Sequence, residues 1–387
     1  MLVGFFARLP SAMSALALLL MLRARTGSFV VPGLAVGAYG VATAISAPLQ
    51  GRLVDRFGRA RVLGPCTAAW AGLLAGLLLA SGAHAAGASL VVLAFGAGAA
   101  APPFPAVVRA FVGELIGDEE LRESAYTIDA IAQELVWING PLLVALAVAV
   151  ASPSAGVVLA IAIGAVGALG LLALAPSGPP ASERGPSHWA GALTTPGLVA
   201  LIVPVALVGV SVGATEVGLT ALAVRAGERA AAGVLFALWS AGSLLGGLVF
   251  ASRSAGASLA TRYRVLIVSL GVGYAPLIVA GPLWSAGLFA AVAGASIAPY
   301  FACLYALVGR LAPAGTATEA FTWMTSAIYG GAALGTALAG AVSASAGVSG
   351  PFELAVASGL LAAALTWTVL GRPLREPAAA TAAATPV

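Results

Sequence analysis

Long apolar runs alternate with short polar joints along the whole chain, and the runs keep a near-constant length. Read as helices, they fall at 3–23, 29–51, 62–82, 87–112, 124–150, 155–175, 197–223, 230–251, 263–281, 284–309, 317–343 and 351–371. Each is close to the ~20 residues that a helix needs to cross ~30 Å of hydrocarbon. Most are apolar on every side, which suits helices surrounded by lipid or by other helices. The first has Arg8 ahead of an apolar core, as a signal peptide does, but span follows span after it. It is therefore expected to be an uncleaved first helix. Twelve spans put both termini on the same side.

One break is longer than the rest. Ala175 to Pro196 is rich in proline, glycine and serine and cannot bury enough apolar surface to fold. The expected organisation is an all-α integral membrane protein: an N-terminal six-helix bundle over 1–175, a cytoplasmic linker over 176–196, a C-terminal six-helix bundle over 197–372, and a disordered tail over 373–387. The halves also match at one offset. Adding 195 to Gly51, Leu53 and Val54 gives Gly246, Leu248 and Val249, and adding it to Ala125, Thr127 and Gly140 gives Ala320, Thr322 and Gly335. Such a repeat fits two halves related by an axis along the membrane normal, with a binding site between them near the midplane.

Composition agrees with the pattern. Of 387 residues, 60% are apolar and 8% charged, with mean hydropathy +1.04, where a soluble domain is about one quarter charged. All 18 basic residues are arginine. Arg8, Arg52, Arg56, Arg59, Arg61, Arg109, Arg122, Arg184, Arg253, Arg262, Arg264, Arg310, Arg372 and Arg375 fall on one side of the twelve-span scheme; Arg23, Arg25, Arg225 and Arg229 fall on the other. The richer side is the cytoplasmic one. The net charge of +4 is thus a topology signal and does not point to nucleic acid. Cys66 and Cys303 are far apart and expected to be unpaired, and neither His84 nor His188 has a metal partner at ligand spacing. No phosphate loop, nucleophile elbow or zinc spacing occurs, so neither an enzyme nor a cofactor or metal is expected.

The densest charge lies in Gly51 to Leu63, GRLVDRFGRARVL, a joint between helices 2 and 3 that must sit outside the hydrocarbon. Gly51, Asp55, Arg56, Gly58, Arg59 and Arg61 form its pattern, with Ala60 where a base is usual. It resembles the loop signature of the major facilitator superfamily of transporters. The resemblance implies twelve helices in two pseudo-symmetric bundles, and a gating role in which Asp55 and its arginines lock the inner ends of the helices. In the second half the signature is degraded, with Phe250 in place of Asp55. The look is of a bacterial drug- or metabolite-efflux branch, although Gly140-Pro141 is followed by Leu-Leu-Val and no arginine stands midway along helix 4.

An ionisable side chain within a span is a candidate for function, because burying it costs several kcal/mol. Three carboxylates qualify. Glu134 sits about 15 Å into helix 5, near the midplane, where it could take a proton from one side and release it to the other. Asp129 lies nearer the cytoplasmic end; an ion pair with Arg109 or Arg8 is as good a reading as transport. Tyr126, Asp129, Gln133 and Trp137 share a helical face, and Glu134 stands ~140° round from Asp129 at ~100° per residue. Glu216, after small residues on helix 7, is the third. Gln133, Asn139 and Arg8 complete the proton-coupling or substrate candidates, with Arg8 expected to snorkel to the inner surface. Glu319 reads as part of a capping box at the start of helix 11. Tyr126, Trp137, Trp239, Tyr300, Tyr305, Trp323 and Tyr329 are the candidate pocket lining.

The reading is a monomeric secondary transporter of the cell membrane, both termini cytoplasmic, that exports small amphipathic molecules by proton antiport and alternating access. Its partners are the substrate, protons and the bilayer. A proton-coupled uptake permease for a sugar or organic acid is the alternative, and a non-transporting receptor or partner subunit on the same scaffold is another.

Overall fold

The computed structural model describes residues 2–26, 30–83, 85–174, 191–228, 231–252 and 257–369, and among them regular structure is helical throughout. The N-terminal half contains α1 (Leu2–Thr26), α2 (Val30–Phe57), α3 (Arg59–Gly82), α4 (Gly87–Ala100), α5 (Phe104–Leu115), α6 (Glu119–Val150) and α7 (Ala155–Ala173). After a short 3₁₀ turn (Gly191–Thr194), the C-terminal half contains α8 (Pro196–Arg225), α9 (Ala231–Ala251), α10 (Leu259–Gly273), α11 (Ala275–Ile278), α12 (Leu283–Gly294), α13 (Ile297–Leu311), α14 (Ala317–Ala346) and α15 (Gly350–Val369). Most of the expected linker, the tail, His84, His188, Arg184, Arg229, Arg253, Arg372 and Arg375 lie outside the described residues. Cys66 and Cys303 are both free thiols.

Eleven crossings are long and apolar enough to span a membrane, counting α4 with α5 and α12 with α13. The twelfth is α10 continued by α11, interrupted at Tyr274 just before Pro276. Large apolar side chains such as Ile45 and Leu79 point outward, 71% and 73% exposed, as lipid-facing positions must. In hydrocarbon every backbone group needs an internal partner, so the helical ladder supplies them.

Three sequence expectations change here. The fourth and tenth spans are not continuous: α4 stops before Pro102-Pro103, which cannot donate to a helical ladder, and α12 stops at Ala295-Ser296. These breaks are related by the internal repeat, since Ala101 plus 195 is Ser296. The joint between spans 2 and 3 is no loop. Helix α2 runs through Asp55 to Phe57, α3 starts at Arg59, and the chain turns at Gly58 alone, whose φ of 87° suits a residue without a β-carbon.

Small residues set the spacing between helices. Gly140 of α6 lies against Ala12 of α1, and Gly335 of α14 lies against the backbone of Val210 of α8; a β-carbon at either glycine would overlap its neighbour. The two glycines matched by the 195 offset thus do equivalent jobs in the two halves. Gly331 meets the carbonyl of Ala206 in the same way, one turn earlier. Gly331→Val is expected to destabilise the fold by about 1–3 kcal/mol, because α14 cannot stay at that distance from α8. Thermal unfolding in detergent checks this, with Gly330→Val, where no atom lies in the way, as the neutral control.

The apolar core of the C-terminal half is continuous with Ala106, Ala110, Val112, Ala125, Tyr126 and Ala130 of α5 and α6. The rest of the N-terminal half has cores of its own.

Candidate functional site

Between the halves lies a cavity of about 460 Å³, bounded by α5, α6, α8, α9, α13 and α14. Of the residues expected at such a site, Gln133, Glu134, Trp137, Glu216, Trp239, Tyr305 and Tyr329 line it. Rings close its sides: Trp137 of α6 stands edge-on to Tyr329 of α14, 6.2 Å between centroids, and Phe301 stacks on Tyr305 at 5.7 Å. Glu216 is exposed and Glu134 half-buried, with the Ser243 hydroxyl within hydrogen-bonding reach of Glu134. Among the described residues neither carboxylate has a basic partner.

Other expected site residues lie elsewhere. Asn139 spends its amide on the Leu135 carbonyl one turn back, at 2.8 Å. Tyr300 stacks on Tyr263 at 5.4 Å within the core. Trp323 packs against that same core. Tyr126 packs on Phe321 across the halves at 5.9 Å.

At the cavity wall is a buried ion cluster, whose Arg109 lines the cavity itself. Asp129 is fully buried; its Oδ1 accepts from Arg8 Nη1 at 2.6 Å and its Oδ2 from Arg109 Nε at 2.9 Å. Arg109 also donates from Nη2 to Gln133 Oε1 at 3.4 Å and lies over the Tyr305 ring, 3.8 Å from its centroid. The expectation that Arg8 snorkels to the surface is corrected, since it is buried, and the ion pair expected between Asp129 and Arg109 or Arg8 is made with both; Arg109, in the last turns of its span, is buried as well. An arginine cannot discharge itself by losing its proton, so each is kept in the interior by the shared aspartate. Asp129 thus joins α1, α5 and α6 through its two arginines, while Arg109 and Gln133 connect it to the cavity.

A second set of polar contacts closes the arginine-rich end. Asp55 accepts from the backbone N–H groups of Thr318 (3.1 Å) and Glu319 (2.8 Å), in the first turn of α14. These donors have no partner within their own helix; the carboxylate supplies one from the opposite half and also suits the positive end of the helix dipole. Arg52 forms a two-pronged pair with Glu319, Nη2 to Oε1 at 2.7 Å and Nε to Oε2 at 3.2 Å. Gly51 lets α2 approach this turn, since a β-carbon would overlap Thr322 and the Glu319 backbone. The capping-box reading of Glu319 is therefore replaced: Thr316 donates to the Pro313 carbonyl instead, and Glu319 turns to Arg52.

On the other side of the same end, Glu123 of α6 pairs with Arg262 and Arg310, and Glu119 pairs with Arg310 at 2.6 Å. Arg262 also lies 5.8 Å from the ring centroid of Phe250. Arg59 pairs with Glu114 of its own half and covers Phe111, while Arg56 and Arg61 are exposed. Of the joint's charged residues, Asp55 and Arg52 bridge the halves. The sequence reading missed Arg52 and the Glu119/Glu123 pair. The latter are spaced i, i+4 in the opening turns of α6, a signal that they share a face.

The description of the Major Facilitator Superfamily matches residues 1–290. No curated protein sequence matches significantly. Among solved structures, a bacterial homologue of the iron transporter ferroportin in an outward-facing state superposes with TM-score 0.78 at 13% identity, covering 96% of this chain and 98% of that one. The E. coli fucose:proton symporter FucP gives 0.72 at 14%, covering 95% and 96%. The proton:xylose symporter XylE gives 0.69 at 14%, covering 95% and 94%. At such identities the likeness is one of fold.

Proposed function

Because the chain belongs to the major facilitator superfamily, we propose that this transporter exports small amphipathic molecules in exchange for protons, by alternating access across the cell membrane with both termini cytoplasmic. The moving units are the halves 1–175 and 197–372, joined by the linker 176–196, with the binding site between them. One observation carries the reading: two carboxylates without a basic partner, Glu134 on α6 and Glu216 on α8, face a single ring-walled cavity between the halves. An acid left unpaired in an apolar bundle is stabilised when it binds a proton or a cation, so occupancy of the cavity and protonation compete. The contacts of Asp55, Arg52 and Glu123 close the arginine-rich end, which supports an outward-facing arrangement.

The test is flux in liposomes. An imposed pH gradient should drive substrate against the direction of proton movement, and Glu134→Gln should reduce that flux by about tenfold or more, the range in which proton-transfer groups act. Gradient-driven flux that survives Glu134→Gln unchanged would remove Glu134 from the coupling path. Substrate moving with the protons would mark symport.

A further inference from the structure

The cavity holds more than its acids. Trp239 Nε1 and Gln133 Nε2 are hydrogen-bond donors on its wall, each side chain more than nine-tenths buried, and neither has an acceptor among the described residues. Buried donors are normally satisfied, and one left open in a cavity marks where a ligand or water atom belongs. Gln133 Oε1 already accepts from Arg109, so its amide is oriented with Nε2 directed away from that arginine. Arg8 and Arg109 both pair with Asp129, and Arg109 also reaches the cavity wall, whereas Glu134 and Glu216 have no basic partner among the described residues.

We propose that the substrate is a monovalent organic ammonium ion with an aromatic body and a carbonyl-type acceptor. Its ammonium group binds at Glu134 and Glu216, its acceptor at Gln133 Nε2 or Trp239 Nε1, and its body lies against Trp137, Tyr329 and Phe301. A cation near these rings gains from their negative faces as well. A proton and the ammonium group compete for the same two acids. It follows, resting on the antiport reading above, that a pH gradient drives the exchange.

Three molecules with one body separate the classes: phenylalanine β-naphthylamide, which is cationic; its N-acetyl derivative, neutral; and its N-succinyl derivative, anionic. Titration calorimetry on the purified full chain in detergent measures binding with no gradient present. The cation should bind at least about tenfold more tightly than either relative, as expected when a buried charge finds its partner. Glu134→Gln and Glu216→Gln should each remove most of that preference, and thermal unfolding in the same detergent shows that the variants are folded. Trp239→Phe should weaken the cation and the neutral derivative alike. A cation that binds no better than its relatives, or keeps its preference in both Gln variants, overturns the proposal. Because binding needs no gradient, selective binding without proton-driven flux would sink antiport and leave the ligand class standing. Proton-driven export of neutral molecules, with no preference for the cation, would do the reverse.

Discussion

Asp129→Asn should lower stability by about 3–5 kcal/mol, the cost of removing one member of a buried ion pair. The sign comes from what remains. Asp129 is the anion between two buried guanidinium groups, Arg8 and Arg109, held at 2.6 and 2.9 Å. An asparagine keeps the shape but leaves two like charges in the interior with nothing to balance them, and neither can shed its proton. Arg8→Met should cost less, although it also removes a buried arginine, because the surviving Arg109–Asp129 pair is balanced. Arg8 Nη2 has no acceptor among the described residues in any case. Thermal unfolding of the three proteins in one detergent tests the order: wild type above Arg8→Met above Asp129→Asn. If Arg8→Met were the less stable variant, the cluster would not be governed by charge balance.

This cluster also marks the limit of what the sequence discloses. Hydropathy locates the spans because lipid demands a long apolar run, and the twelve expected segments correspond to α1–α15 once the three broken crossings are joined. The same logic treats an arginine as a surface marker, and so it misplaces Arg8. Its burial depends on Asp129, 121 residues away along the chain; the sequence offers that acid a pair with Arg109 or Arg8, and the structure makes both. Helical periodicity does better. It puts Gln133 and Trp137 on one face, and both line the cavity. It also sets Glu134 apart from Asp129, and one now faces the cavity while the other is sealed behind it. The breaks in the fourth and tenth spans both have a proline as breaker, Pro102-Pro103 in one and, in the other, Pro299, four residues after Ala295, where α12 has just ended.

The latch at the arginine-rich end shows a different limit. The motif spacing singles out Asp55, but its partners are the main-chain N–H groups of Thr318 and Glu319. Every non-proline residue carries that donor, so the sequence could not name them. What makes these two available is their place in the first turn of a helix.

Asp55→Asn is accordingly expected to reduce transport about tenfold or more and to open the arginine-rich end. Asparagine offers one acceptor oxygen where the carboxylate offers two, and turns its NH₂ toward backbone donors. The loss is a charge-assisted hydrogen bond of about 1.5–3 kcal/mol together with a favourable dipole contact. Since ~1.4 kcal/mol is a factor of ten in an equilibrium, the latched population should fall by at least that factor. Phe250, at the equivalent position of the second half, has no comparable role. It lies beside Arg262 at 5.8 Å, and the pairs of Glu123 with Arg262 and Arg310 do not depend on it. Phe250→Ala should therefore leave transport within a few-fold of wild type. Flux in liposomes measures the first effect, and labelling of a single cysteine placed at Thr318 measures the second, slow in the latched protein and faster with Asp55→Asn. Equal losses from Asp55→Asn and Phe250→Ala would mean that the latch is general packing at this end, and that the acid retained in one half only is not what holds it.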